Sequence, residues 1–164
     1  MIMVESKFLE FEKAPYLELD NYKAPKGINS FFVPMDDNIR LRVCCWLNQE
    51  HKVKGTILLQ QGHNEFIEKY YETIQEFIDR DYSVIAFDWR GQGMSDHQIK
   101  DIHKAYIKSF DRHDKDLKYI FKEIIKNNFP KPLIGIGHSM GGCLLLSAFH
   151  NYPDSFSKGI LSAP

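Results

Sequence analysis

The sequence predicts an α/β protein built on a mostly parallel sheet. Short apolar runs that suit strands buried on both faces alternate with longer segments in which apolar residues recur at helical spacing. No internal repeat or linker divides the 164 residues, which suffice for one domain with a sizeable core. Strands that alternate with helices form βαβ units, and these give a parallel sheet with helices on both faces.

The first elements predict an antiparallel opening to this sheet. Residues 1–30 carry scattered aromatic residues and two Ala-Pro pairs without a period, so we expect an irregular lead-in before a domain that covers 31–164. The segment FFVPMDDNIRLRVCCWL reads as two strands around a turn at Asp36-Asp37-Asn38, because Asp and Asn tolerate turn geometry. GTILLQQ then predicts a buried strand.

The later elements alternate between the two types. Apolar residues from Phe66 to Ile78 follow a helical period, YSVIAFD predicts a buried strand, and WRGQGMSD a glycine-containing turn. A second helix is predicted over 105–127, with an apolar stripe that includes Tyr106 and Phe110 and a solvated face in DRHDKDLK. PLIGIGH, MGGCLLLSAFH and GILSAP predict a strand, a short helix and a further strand. We expect this sheet to be truncated before its last strands.

Composition and charge narrow the class of protein. The formal net charge is −1, from 21 basic and 22 acidic residues, so nothing favours nucleic acid or an anionic membrane as a partner. The opening residues have no secretory pattern, and no apolar run approaches the roughly 20 residues that a membrane span needs. We therefore expect a cytoplasmic protein in which Cys44, Cys45 and Cys143 are reduced, buried thiols without a disulfide or zinc site.

A serine lies between glycines at the junction of a predicted strand and a predicted helix. The stretch Gly137-His138-Ser139-Met140-Gly141 matches the G-x-S-x-G pattern of a nucleophile turn in that setting. The small residues are needed because an abrupt strand-to-helix turn crowds the positions two before and two after the serine. A dinucleotide loop fits poorly, since Met140 occupies the place of its third glycine, and a purely structural glycine turn is the remaining alternative.

Three stretches together carry a family resemblance: QGHNEF at 61–66, FDWRGQGMSD at 87–96 and GHSMGG at 137–142. In this order and spacing they resemble the α/β-hydrolase superfamily, and within it the serine hydrolases similar to lysophospholipases and monoacylglycerol lipases. The resemblance covers about residue 31 to the end. It implies a carboxylic ester hydrolase that acts on a small ester or lipid, lysophospholipid or monoacylglycerol, without a metal or an organic cofactor.

The resemblance also implies roles for single residues. Ser139 is the candidate nucleophile, and the backbone N–H groups of Met140 and His63 are the candidate oxyanion hole. Asn64 is the alternative second donor. The chain has Gln61 where the family often has histidine, which affects the support of this loop more than a backbone donor.

Other polar residues near these motifs have less reactive expected roles. We expect Glu65 to brace the loop or the start of the next helix, and Asp88 and Arg90 to brace the glycine turn. His138 diverges from its neighbour Ser139 at a tight turn, so we do not expect it to act as the base. Three further histidines are expected on the surface or in loops, without metal-ligand spacing: His97, His103 and His113.

The partners of the nucleophile are not apparent in the sequence. The fold places the acid and then the histidine base after the serine, whereas only His150 and Asp154 follow Ser139, in the opposite order. We therefore expect both to be absent and this polypeptide alone to have negligible turnover. Three explanations stay open: a fragment that lacks its C-terminal half, one half of a split enzyme, and a non-catalytic binding module.

Overall fold

The computed structural model describes residues 8, 10–48, 52–104 and 106–164. The strands in this part of the chain are β1 (Asn29–Pro34), β2 (Arg40–Trp46), β3 (Gly55–Gln60), β4 (Tyr82–Phe87), β5 (Leu133–His138) and β6 (Lys158–Ser162). The α-helices are α1 (Tyr71–Ile78), α2 (Asp111–Tyr119) and α3 (Met140–Asn151). Short 3-10 turns occupy Ile67–Tyr70 and Pro153–Ser155, and a π-helical turn occupies Ile120–Ile125. The predicted α/β class is confirmed, and so is the predicted order of the strands along the chain.

The six strands form one mixed sheet in the order β1-β2-β4-β3-β5-β6. β1 and β2 pair antiparallel, as do β2 and β4, and all other pairs are parallel. Gln60 at the end of β3 pairs with Gly137 near the end of β5. The loops that follow these two strands therefore leave the sheet side by side at its carboxyl edge, where α/β sheets bind ligands.

The predicted hairpin is confirmed at its turn and on both faces. Asn38 has a positive φ of 62°, a conformation that asparagine tolerates better than most side chains. Cys45 lies in the apolar cluster packed under α2 and α3, whereas its neighbour Cys44 lies in the cluster packed under α1. Adjacent strand residues thus point to opposite faces, and both thiols are buried and free.

The lead-in packs against the first strand. The Phe8 ring stacks on Phe31 at 4.9 Å between centroids, and the Ala14 N–H donates to the Ser30 carbonyl at 3.0 Å. Residues 1–7 and 9 lie outside the described residues, and the division into a lead-in and a domain stays a prediction.

The second predicted helix begins later than its pattern indicates. α2 starts at Asp111, although the prediction begins at 105, which lies outside the described residues. Tyr106 and Phe110 precede the helix and are about half exposed, so they are not part of its buried stripe. Acidic residues Asp111 and Asp114 occupy the first turn, where the helix dipole favours negative charge. The stripe is correct further along, because Leu117, Ile120, Ile124 and Ile125 are buried.

The helices also bear on two predictions, those on membrane spans and on the burial of the cysteines. No helix in the described ranges has the length and apolar content needed to cross a membrane. Cys143 is exposed on α3, so the prediction that all three thiols are buried is wrong at this position.

Candidate active site

Ser139 forms the apex of a sharp turn between β5 and α3. Its backbone has φ 49° and ψ −124°, a conformation that costs a residue with a side chain on the order of 1–3 kcal/mol. Neighbouring structure holds it in place, because the Ser139 N–H donates to the Ser162 carbonyl at 2.9 Å and its carbonyl accepts from the Cys143 N–H at 3.0 Å. Such strain at a serine after a strand is typical of a nucleophile turn.

Close backbone approach explains the glycines around this serine. A Cβ atom at Gly137 would lie 2.7 Å from the backbone nitrogen of Gly142. A Cβ atom at Gly141 would lie 2.5 Å from the carbonyl oxygens of both Gln60 and Gln61. The first contact lets the chain reverse into α3, and the second packs α3 directly against the end of β3.

The groups at the turn that could take part in chemistry are free. The Ser139 side chain makes no capping hydrogen bond to α3, and its hydroxyl has no partner among the described residues. Met140 is the first residue of α3, where a backbone N–H has no acceptor within the helix. The helix dipole adds partial positive charge at the same place.

The loop after β3 lies against the serine. A Cβ atom at Gly62 would lie 3.1 Å from the Cβ of Ser139, which shows how closely the two backbones approach. The Asn64 N–H donates to the side-chain oxygen of Gln92, so it is already occupied. The His63 N–H has no acceptor in the described part of the chain. Of the two expected donors in this loop, the structure therefore leaves that of His63 available.

Glu65 fixes the shape of this loop, as the sequence predicts. Its carboxylate accepts hydrogen bonds from the Gly62 N–H at 2.7 Å, from the Tyr70 hydroxyl at 2.6 Å and from Lys69 Nζ at 2.6 Å. Burial alone would raise the pKa of Glu65, but these donors outweigh it and lower the pKa to about 2. The same carboxylate lies 3.1 Å from His138 Nδ1, so the imidazole next to Ser139 is held by the loop.

Asp88 joins the glycine turn to the loop after β3. It is fully buried, and it accepts from the Met94 N–H at 2.8 Å, the Ile67 N–H at 3.0 Å and Gln61 Nε2 at 3.1 Å. The expected bracing role of Asp88 in the turn is confirmed by these contacts. Gln61 occupies the position where the sequence departs from the related pattern, and its side chain supports the loop through Asp88.

A buried arginine outside the three sequence motifs neutralises the charge of this carboxylate. Arg42 Nε donates to Asp88 at 2.7 Å, and its Nη2 donates to Glu68 at 2.7 Å. Burial raises the pKa of Asp88 to about 6 although Arg42 opposes the shift, so the carboxylate is charged at neutral pH. An arginine between the apolar residues Leu41 and Val43 is the sequence signal that could have revealed this network.

Arg90 connects the glycine turn to two other elements. Its guanidinium binds both carboxylate oxygens of Asp116 in α2 at 2.6 Å and Asp37 of the hairpin turn at 2.9 Å. Its side chain is fully buried. Arg90 therefore links the glycine turn to α2 and to the hairpin turn, and its positive charge is paired with the carboxylates of Asp116 and Asp37.

A cavity of about 230 Å³ opens beside the two expected oxyanion donors. It is lined by His63, Arg90, Gln92, Tyr106, Ile107, Phe110, His113 and Met140.

The expectation that His113 lies on the surface or in a loop is wrong, because His113 belongs to α2 and is 3 % exposed. It lies four and seven residues before Leu117 and Ile120, a spacing that places all three on one helix face and that could have predicted its burial.

The two titratable residues that follow Ser139 as possible acid or base, Asp154 and His150, do not approach it. His150 lies eleven residues along α3 from Ser139, about 16 Å at the rise of an α-helix. Asp154 lies in the 3-10 turn beyond that helix. His97 and His103 lie in the loop after β4, and the described residues contain no group of three His, Cys, Asp or Glu side chains placed to hold a metal ion.

Curated proteins with related sequences are named as lipid hydrolases. The chain is 28% identical over 127 residues to a probable lysophospholipase of Haemophilus influenzae, covering 77% of this chain and 40% of that protein. It is 29% identical over 112 residues to a monoacylglycerol lipase of Mycolicibacterium smegmatis, covering 68% of this chain and 38% of that protein. The chain thus spans about two fifths of the length of these relatives.

Solved structures share the fold at lower identity. A carboxyl esterase from Bacillus coagulans superposes with a TM-score of 0.67 at 18% identity, over 84% of this chain and 44% of that one. A thioesterase domain from the curacin biosynthetic pathway superposes with a TM-score of 0.66 at 22% identity, over 82% and 45%. The model of the family described as "Serine aminopeptidase, S33" matches residues 51–164. The chain therefore belongs to this family of α/β hydrolases.

Proposed function

We propose that this chain carries the nucleophile and the oxyanion hole of a carboxylic ester hydrolase, with Ser139 as the nucleophile. The observation that carries the proposal is the strained Ser139 backbone at the junction of β5 and α3, with its hydroxyl free and the Gly62 loop beside it. The dinucleotide and structural-turn alternatives provide no reason for an unpaired serine hydroxyl at a strained apex.

In this proposal the Ser139 hydroxyl oxygen attacks the ester carbonyl carbon. The carbonyl oxygen becomes an oxyanion that accepts hydrogen bonds from the backbone N–H groups of Met140 and His63, each of which would lower the barrier by roughly 3 kcal/mol. Collapse of this intermediate breaks the bond to the alcohol and leaves the acyl group on Ser139. Water then attacks the acyl-serine and releases the acid.

Both reaction steps need a base that removes the proton of the attacking oxygen and returns it to the leaving group. His138 is turned towards Glu65, and His150 lies near the far end of α3. We propose that the base and its acid come from residues outside those described here, so residues 1–164 alone turn over esters very slowly. A split enzyme and a non-catalytic binding module are the alternatives, and labelling of Ser139 tests the binding module.

The names of the curated relatives support a lipid ester as substrate. One is named a lysophospholipase and another a monoacylglycerol lipase. Both names describe hydrolysis of one acyl ester on a glycerol-based lipid, and we propose this class for the present chain.

The experiment is covalent labelling with a fluorophosphonate, which reacts with activated serine hydroxyls. We expect the wild-type chain to label slowly, the Ser139→Ala variant not to label, and the matched Ser147→Ala variant on the same helix to label like wild type. Equal labelling of wild type and Ser139→Ala would contradict the assignment of the nucleophile. Absence of labelling together with tight binding of an ester would favour the binding module.

A further inference from the structure

The cavity beside the expected oxyanion donors has one apolar wall and one polar wall. Tyr106, Ile107, Phe110 and Met140 form the apolar wall. The polar wall includes Gln92, which is 6 % exposed, and the buried His113.

Both polar side chains retain unused hydrogen-bonding groups. The oxygen of Gln92 accepts from the Asn64 N–H, whereas its amide nitrogen has no acceptor among the described residues. Nδ1 of His113 is enclosed without a partner, and Nε2 has none in the described ranges either. A buried polar group usually has a partner, so the unpartnered His113 Nδ1, in the same cavity wall as the free Gln92 amide, indicates a place for a polar ligand.

The ring of His113 packs against two other aromatic rings. It packs edge to face on Trp89 at 5.1 Å and on Phe110 at 5.5 Å between ring centroids. Burial, together with the charge of Arg90 and with His63, lowers the pKa of His113 to about 4, so the imidazole is neutral at neutral pH. A neutral imidazole offers one donor and one acceptor.

Charge excludes two classes of ligand group from this cavity. Arg90 supplies the permanent positive charge among the lining residues, and Asp116 and Asp37 neutralise it. A phosphate would therefore find no free cation on the described wall. The described lining residues also include no carboxylate that could pair with an ammonium group.

A hydroxyl group fits both side chains of the polar wall. It can donate and accept at once, so it can accept from the Gln92 amide and bond the imidazole in either tautomer. The volume of about 230 Å³ is below the roughly 300–1,000 Å³ of pockets that enclose a drug-sized molecule. The cavity can therefore enclose only one small part of a lipid.

We propose that this cavity binds the hydroxyl-bearing alcohol part of an uncharged glycerol ester, with His113 and Gln92 as the residues that select it. This inference rests on the proposed ester hydrolase function and narrows its substrate class. Of the two classes named for the relatives, it favours the monoacylglycerol over the phosphate-bearing lysophospholipid. The hydrogen bonds to the ligand hydroxyls are what distinguish this role from simple packing of the ring.

The test is a binding titration followed by NMR of the histidine side chains, which needs no turnover and no reactive serine. The probes are glycerol monobutyrate, methyl butyrate, which has the same acyl group and no hydroxyl, and butyryl-glycerophosphocholine. We expect glycerol monobutyrate to bind most tightly and to shift the His113 ring nitrogen signals. His113→Phe should weaken its binding about three- to tenfold and leave methyl butyrate unchanged. The matched His150→Phe variant, at an exposed histidine, should change neither.

Three outcomes would overturn the inference: equal binding of the two butyrates, an equal loss for both in His113→Phe, or tightest binding of the glycerophosphocholine ester. If His113→Phe does not fold, the wild-type shifts decide, because the inference requires glycerol monobutyrate and not methyl butyrate to move the His113 signals. Labelling at Ser139 is measured separately. A failed nucleophile assignment and a failed alcohol site therefore give different results.

Discussion

Replacement of Gly141 by alanine tests whether close packing of α3 on β3 builds the site. The new Cβ would lie 2.5 Å from two backbone oxygens, those of Gln60 and Gln61, and neither can rotate away as a side chain could. Overpacking costs about 1–3 kcal/mol, and alanine returns at most about 1 kcal/mol as a better helix former. Because both clashes are with backbone, we expect a net loss of about 2 kcal/mol in the free energy of unfolding.

Gly142→Ala is the matched control on the same helix turn. Its Cβ would meet the Pro164 side chain at 3.0 Å and the Gly137 carbonyl at 3.2 Å, contacts that a small shift relieves. We expect this variant to stay within about 1 kcal/mol of wild type, since the same gain in helix propensity offsets the milder contacts.

The assay is urea unfolding followed by circular dichroism, together with a thermal melt. For a chain of this size a loss of about 2 kcal/mol lowers the melting temperature by about 4–8 °C. Gly141→Ala should also reduce fluorophosphonate labelling, because moving β3 away from α3 moves the Gly62 loop away from Ser139. If Gly141→Ala were as stable as Gly142→Ala, the argument from backbone contact would be refuted.

Two further predictions concern buried charge. Arg42→Ala leaves the carboxylates of Asp88 and Glu68 buried without their cation, and we expect a loss of about 3–5 kcal/mol in urea unfolding, whereas a loss below about 1 kcal/mol would contradict the buried network. The folded-state pKa of His113 is about 4 against an ordinary 6.5, so the unfolded chain binds the proton more readily and stability falls as pH drops from 6.5 to about 4. The loss is about 3 kcal/mol at most. The same pH series on His113→Phe should lack this loss of stability. Asp88, whose pKa is raised, contributes a change of the opposite sign in both proteins. Parallel stability curves for the wild type and the variant would contradict the prediction.

The sequence predicts the sheet well because its strands are short, apolar and separated by clear turn residues. Asn38 takes the left-handed turn conformation that its type favours, and Ser139 lies at the strand-to-helix junction that its glycines predict. Both features depend on local backbone geometry, which the identity of neighbouring residues determines.

The cavity could not be predicted in the same way. An apolar period shows that Tyr106 and Phe110 recur at helical spacing, but not that the helix begins after them and leaves them to line a pocket. The spacing of His113 from Leu117 places it on the buried helix face, but its position in the cavity wall depends on tertiary contacts with Trp89 and Phe110. The partners of Arg42 are likewise set by tertiary packing.

The Arg42 network has a consequence for how the chain folds. Arg42 meets a residue 26 positions away at Glu68 and one 46 positions away at Asp88. Burial of any one of these three charged side chains is unfavourable until the other two are in place, because a buried charge without its partner is strongly destabilising. Contacts between such distant residues form late, after long loops have closed. The cluster therefore destabilises partly folded states of the chain. As a result, the hairpin, the start of the first helical segment and the glycine turn fold cooperatively.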